Sequence, residues 1–262
     1  MGPARKTSAR EGGPVKVVTS EWTCDVAEPN TGAFRKNSSW PPVAPHAALR
    51  YCRRFLVDLL RSRPDDFAVP VSGRHGADVL SLVCHLTANS RQAEATLTGQ
   101  PREQSARLRG LTLPELLAEW ERSGLVVEHA LLHAHGLTGS LLVTDLFTHE
   151  LDIRRALGSA EPTCHPALPT AIDVAIGGAG AVVGRLGLPA LCFETTGAAW
   201  VVGEGEPAVT VSAPPMELYN SLVGRRSLRQ IRALRWSADP EPWLRVFAWG
   251  PFRPTDEPAG WG

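Results

Sequence analysis

The sequence predicts an α+β protein: an N-terminal up-down four-helix bundle (four or five antiparallel helices by pattern) followed by a small α+β domain. Two observations carry this prediction. From Pro45 to Leu186, apolar residues recur every three or four positions in helix-length segments joined by short turn-like connections. After Pro189 the pattern changes to short runs of β-branched and aromatic residues broken by glycines.

The elements follow in order. Residues 1–43 read as a poorly ordered tail. All three lysines (Lys6, Lys16, Lys36) lie there, small and polar residues are frequent, and no apolar periodicity persists. In "APHAALRYCRRFLVDLLRSR", Leu49, Cys52, Leu56 and Leu59 or Leu60 take helical spacing. A second helix runs from about Ala77 to Leu97 and is ended by Gly99 and Pro101. A third has Thr112 as its cap and Pro114 in its first turn. Its apolar face carries Leu113, Leu117, Trp120, Gly124, Val127 and Leu131. "HGLTGS" reads as a turn, and a fourth helix runs from Ser140 to Leu157, stopped by Gly158. A fifth, rich in alanine and glycine, spans about Leu168 to Leu186. The bundle thus occupies residues 44–187 and the second domain 188–254. There "ALCFETTG", "AAWVVGEG" and "PAVTVSA" read as strands, and "PPMELYNSLVGRR" as a short helix ending near Gly224. "WLRVFAWGPFRP" closes the ordered chain, with Trp200, Trp236, Trp243 and Trp249 as core and residues 255–262 as a second tail.

Composition narrows the function classes. Basic and acidic residues balance at 27 each, so the concentrated basic charge of a nucleic-acid binder is missing. No apolar run reaches transmembrane length, and the amino terminus lacks the apolar core of a signal peptide. The five cysteines (Cys24, Cys52, Cys84, Cys164, Cys192) form no C-x-x-C pair, which speaks against a zinc knuckle or dithiol redox motif and for free thiols in a reducing compartment. The expectation is a soluble cytoplasmic protein, monomer or homodimer, with small-molecule partners and neither nucleic acid nor membrane.

Chemistry is concentrated in "LLVTDLFTHELDIRRALG". Asp145 and His149 stand at i and i+4, neighbours on a helix face, and share their direction with Leu142, Ile153 and Ala156. Polar groups in such apolar company need a partner. The second helix carries a mostly uncharged polar strip, Asp78, Ser81, His85, Asn89, Gln92 and Thr96, of the kind that lines an internal cavity. If the two helices face each other, His85, Asp145 and His149 converge. Two imidazoles and a carboxylate with coordination positions to spare are the donor set of a catalytic divalent site, Zn²⁺ in particular. A buried Asp–His hydrogen bond without metal fits the same spacing. Asp152 can hold a ligand histidine or pair with Arg155, and the pairing is favoured. His129 and His133 fall away from the third helix's apolar stripe and read as a solvent-facing pair. "GGAGAVVGR" has its third glycine one residue too late for a dinucleotide loop; its small residues suit close helix packing.

The stretch "VLSLVCHLTANSRQAEATLTG" followed by "TDLFTHELDIRRALG" resembles the mycothiol-dependent maleylpyruvate isomerase family, within the DinB-like helical-bundle proteins. "WVVGEGEPAVTVSAPPMELYNSLVGRRSL" and "DPEPWLRVFAWGPFRP" are similar to that family's small sterol-carrier-like second domain. The resemblance covers about residues 45–254. It implies a divalent metal, usually zinc, on His85, Asp145 and His149, with Asp145 departing from the glutamate typical of the isomerases. Ser81 stands where many relatives carry an acidic residue. The resemblance also implies a second-domain arginine, Arg225 or Arg226, that reaches the substrate.

The expected function is a divalent-metal-dependent enzyme that uses a low-molecular-weight thiol, mycothiol by resemblance, for isomerisation or S-transfer on a small electrophile. Asn89 and Arg225 or Arg226 are the expected catalytic contacts, and Gln92 the expected cofactor contact. The alternative is a non-catalytic small-molecule-binding protein with the same bundle, its metal structural or absent.

Overall fold

The computed structural model describes residues 34–71, 77–100, 108, 110–134 and 136–255. The helices are α1 (Pro45–Arg61), α2 (Val79–Thr98), α3 (Leu113–Ala130), α4 (Leu137–Ala156), α5 (Leu168–Leu186), α6 (Pro215–Leu222) and α7 (Leu228–Arg232). The strands are β1 (Phe34–Ser38), β2 (Leu191–Thr195), β3 (Ala198–Val202), β4 (Val209–Ser212) and β5 (Arg235–Trp236), and a 3₁₀ helix spans Glu241–Phe247. The α+β class holds. No helix among the described residues is long and apolar enough to cross a membrane.

In the bundle α1 packs on α3 and α4, and α2 packs on the same two helices. Local signals set the helix ends. Asp78 Oδ1 accepts the Ser81 backbone N–H, while Ser81 Oγ accepts that of Asp78, a reciprocal cap. Glu115 accepts both the Thr112 backbone N–H and its hydroxyl at the start of α3. The fourth helix begins at Leu137 rather than Ser140. Gly136 (φ 100°) makes the turn, and the first helical turn then fits only because Gly139 lacks a Cβ, which would stand 2.9 Å from Pro45 Cβ. Helix α4 is buried on nearly every side, so any polar residue it carries must be satisfied internally.

A five-stranded sheet in the order β1-β3-β2-β4-β5 follows the bundle. β2 and β3 form an antiparallel hairpin pairing Phe193 with Trp200, and β4 lies parallel to β2. Alternate residues Phe193, Trp200, Val202, Val209 and Val211 are buried, the period-2 pattern of a sheet with one covered face. The edge strand β1 corrects the expectation that residues 1–43 are a tail. Phe34–Ser38 pairs antiparallel with β3, and Trp40 packs edge-on against Trp200 at 5.6 Å. Side-chain pattern could not show this strand, because its residues are half-buried or exposed and its hold is backbone pairing. The sheet is therefore not built from residues 188–254 alone. Residues 1–33 lie outside the described residues. At the other end Thr255 donates its backbone N–H to Arg226 O, so the chain stays engaged one residue past the expected boundary; residues 256–262 lie outside the described ones.

Helix α5 joins the two parts, packing on α4 along one side and on α6, β1, β3 and the 3₁₀ helix along the other. Its small residues permit this approach, as read from "GGAGAVVGR". A Cβ on Gly178 would stand 2.0 Å from the buried Trp249 ring, whose indole N–H is fixed on Leu222 O at 2.7 Å. Gly178→Ala is accordingly expected to destabilise the fold by about 1–3 kcal/mol through overpacking. A lowered midpoint in urea unfolding checks it, and a wild-type midpoint would count against this packing.

Candidate metal centre

Two helices bring the predicted triad together. α2 presents His85 and Asn89, and α4 presents Asp145 and His149, one turn apart in each case. One ligand atom from each of His85, Asp145 and His149 lies within 4.8 Å of the others. Asp145 Oδ1 is 3.3 Å from His149 Nε2 and 3.8 Å from His85 Nε2. The two imidazoles meet edge to face with centroids 5.0 Å apart. Asp145 and His149 are buried, while His85 keeps 15% of its side chain exposed and forms the open side.

Asp145's two oxygens differ in their surroundings. Oδ2 accepts from Asn89 Nδ2 at 2.8 Å. Oδ1 is buried and accepts no hydrogen bond, although two imidazole nitrogens face it. A buried acceptor without a partner costs about 1–3 kcal/mol, more when charged. Asn89 Nδ2 also lies 3.0 Å from His85 Nε2. Because the amide nitrogen can only donate, this contact places the His85 lone pair on Nε2, the form that ligates a cation. An orphaned anionic oxygen beside two such nitrogens fits a divalent metal: His85, Asp145 and His149 would hold it.

A further layer comes from Asp152 and Arg225. Asp152, expected mainly to pair with Arg155, faces three groups at once. Its Oδ2 is 3.5 Å from His149 Nδ1 and accepts from Arg225 Nη2 at 2.5 Å, while its Oδ1 accepts from Arg225 Nε at 3.1 Å and lies 3.6 Å from Arg155 Nη1. Despite burial, the charge of Arg225 and the His149 contact hold the Asp152 carboxyl well below its usual range. Of the two candidate arginines, Arg225 therefore joins the cluster and Arg226 does not. Arg226 donates from Nε and Nη2 to Glu217 at 2.7 and 2.6 Å. Gln92 donates instead to Thr96 Oγ1 at 3.1 Å, one turn farther along α2. The polar strip on α2 thus divides: Asp78 and Ser81 cap the helix, Gln92 and Thr96 bond each other, and His85 and Asn89 form the site. His129 and His133 are exposed, with centroids 6.0 Å apart.

A small cavity of about 40 Å³ lies inside the bundle beside Asn89 and Asp145, walled by Leu49, Leu86, Trp120 and Leu146 among others. It has room for about two or three water molecules and is far below the several hundred Å³ of a typical ligand pocket. Of the triad, His85 is the member that keeps contact with solvent.

A second compact group, Cys52, Glu150 and His165, is entirely buried, and no sequence signal marked it. It does not suit a cation. His165 Nδ1 accepts the Ala167 backbone N–H at 3.1 Å, which puts the imidazole proton on Nε2, the atom that faces Glu150 at 3.3 Å. Burial, then the Glu150 charge, pushes the Cys52 thiol well above its ordinary value, so it stays protonated.

No protein-family model matches the sequence, and no curated protein matches it. Among solved structures, the chain is similar to a histidine-to-alanine mutant of the mycothiol-dependent maleylpyruvate isomerase. The TM-score is 0.50 at 13% identity, covering 74% of this chain and 92% of that one. The structure of the mycothiol-dependent maleylpyruvate isomerase itself gives a TM-score of 0.49 over the same shares. The likeness is one of fold, and it agrees with the resemblance read from the sequence.

Proposed function

We propose that this chain is a divalent-metal-dependent enzyme that uses a low-molecular-weight thiol to isomerise or S-conjugate a small electrophile. Mycothiol is the thiol suggested by the name of the fold relative. The observation that carries the reading is the buried, unpartnered Asp145 Oδ1 between two imidazoles. When bound, a divalent ion supplies positive charge that favours the thiolate form of a nearby thiol at neutral pH; zinc suits two nitrogens and one oxygen.

The chain's own residues prepare the site. Asn89 fixes Asp145 through Oδ2 and leaves Oδ1 turned to the centre. Ligation through Nε2 costs His85 its Asn89 contact and leaves the Asn89–Asp145 bond in place. The apolar walls of Leu86, Leu142 and Leu146 keep water from the buried side, which strengthens electrostatic interactions there. Arg225 has all three guanidinium nitrogens engaged, on Asp152 and on Val223 O. It therefore acts through Asp152 rather than by reaching a substrate.

The test is elemental analysis of protein purified without added metal, followed by a thiol-consumption assay with mycothiol and small electrophilic acceptors. Near-stoichiometric divalent metal and metal-dependent thiol turnover or isomerisation are expected. Metal with no turnover would shift the reading to a non-catalytic binding protein, and no metal after reconstitution with zinc would remove the proposal.

A further inference from the structure

We propose that Asp152 and Arg225 form a positioning relay that sets the metal affinity of His149, so that the segment after α6 governs ligation inside the bundle without touching the ion. The inference rests on the metal reading above.

His149 lies between two carboxylates, with Nε2 3.3 Å from Asp145 Oδ1 and Nδ1 3.5 Å from Asp152 Oδ2. A neutral imidazole has one proton to place. On Nε2, it turns a hydrogen toward the centre and blocks ligation; on Nδ1, it leaves the Nε2 lone pair facing Asp145. The hydrogen bond that His149 makes to a carboxylate runs through Nδ1 to Asp152 Oδ2, whereas Asp145 Oδ1 accepts none, and Arg225 holds Asp152 in place as that acceptor. A carboxylate this deeply buried (2% exposed) needs a compensating charge. Arg225 supplies it with a two-point contact, and its third nitrogen is pinned on Val223 O at 2.6 Å. The arginine is delivered by a turn that only glycine can make. Gly224 has φ 70°, and a Cβ there would stand 2.4 Å from Arg253 O. The Arg225 backbone N–H is tied to Asn220 O at 2.8 Å. The relay thus spans 73 residues of sequence, from a rigid turn after α6 to a ligand on α4. Such outer partners of a ligating histidine typically contribute about 10–100-fold in metal affinity.

The test measures zinc affinity by competition with a chromogenic chelator, together with the visible spectrum of the Co²⁺-substituted protein. The variants are Asp152→Asn, Arg225→Met, Arg225→Lys and the Asp152→Asn/Arg225→Met double, with Arg226→Met as the neighbouring control. Near-UV circular dichroism confirms folding of each. We expect zinc affinity to fall about 10–100-fold in Asp152→Asn and Arg225→Met, with an altered Co²⁺ spectrum. Arg225→Lys should fall between, and the double should be no weaker than the weaker single. Arg226→Met should lower stability and leave affinity unchanged. Wild-type affinity in folded Asp152→Asn or Arg225→Met would overturn the relay. An equal loss in Arg226→Met would also overturn it, by showing general loosening. If the unmutated protein binds no zinc, the metal reading itself fails; if it binds and only the relay variants are normal, the metal reading survives.

Discussion

Purified His149→Ala is expected to carry no divalent metal after dialysis, whereas His133→Ala carries as much as the unmutated protein. The two histidines look alike in the sequence, each the second member of an i, i+4 pair, and the structure separates them. His149 is buried and faces the unpartnered oxygen of Asp145. His133 is exposed and pairs edge-on with His129, while the nearest acid in sequence, Glu128, is committed to Arg53 and Arg50. Removing His149 leaves Asp145 Oδ1 with a single imidazole at 3.8 Å and takes away the group that links it to Asp152. Since outer partners alone are worth about 10–100-fold in affinity, loss of a ligand should exceed about 100-fold. Metal content per folded protein, by elemental analysis, reads this directly. If His133→Ala loses the metal and His149→Ala keeps it, the centre lies on α3 and the assignment to α2 and α4 is wrong.

The contrast shows what the sequence could express. Asp145 and His149 were legible because an aspartate and a histidine one turn apart on an otherwise apolar helix cannot be accidental surface, and α4 is indeed buried nearly all round. His85 and Asn89 were legible because an uncharged polar strip separate from the charged face must meet something internal. Arg225 was not separable from Arg226. They are adjacent and both salt-bridged, Arg226 buried and Arg225 half-buried, and only the Gly224 turn decides that one faces Asp152 and the other Glu217. Asp152 was half-legible: its i+3 spacing from His149 was visible, its use of one carboxylate on three partners was not. β1 was invisible for a different reason, since an edge strand held by backbone bonds needs no apolar alternation. The Cys52–Glu150–His165 group joins α1, α4 and the connection before α5 with no shared spacing, and nothing local announces it.

Glu128→Ala is expected to destabilise the protein by about 3–5 kcal/mol. In the sequence it stands beside His129, the first of the pair read as solvent-facing. In the fold it is 2% exposed, and its Oε1 accepts from Arg53 Nε at 2.9 Å and Nη2 at 2.7 Å. Oε2 accepts from Arg50 Nε at 3.0 Å. Arg50 is half exposed and can turn to water, but Arg53 is 5% exposed and cannot. Its side chain crosses α3 over Gly124, where a Cβ would stand 2.5 Å from Arg53 Cδ, so the guanidinium is held where α3 leaves room for it. Truncating the glutamate strands that charge in the bundle. Removing both charges should behave differently. Arg53→Met/Glu128→Leu leaves no stranded ion, and such replacements are often neutral or stabilising. Urea unfolding of the single and double variants tests the asymmetry, with an unchanged slope showing that stability alone has moved. A loss under about 1 kcal/mol in the single variant, or a double variant less stable than the single, would mean that Arg53 finds water without Glu128. The cavity that Asn89 and Asp145 also line would then be wetter than its apolar walls imply, and the buried side of the metal centre would lose its claim to be dry.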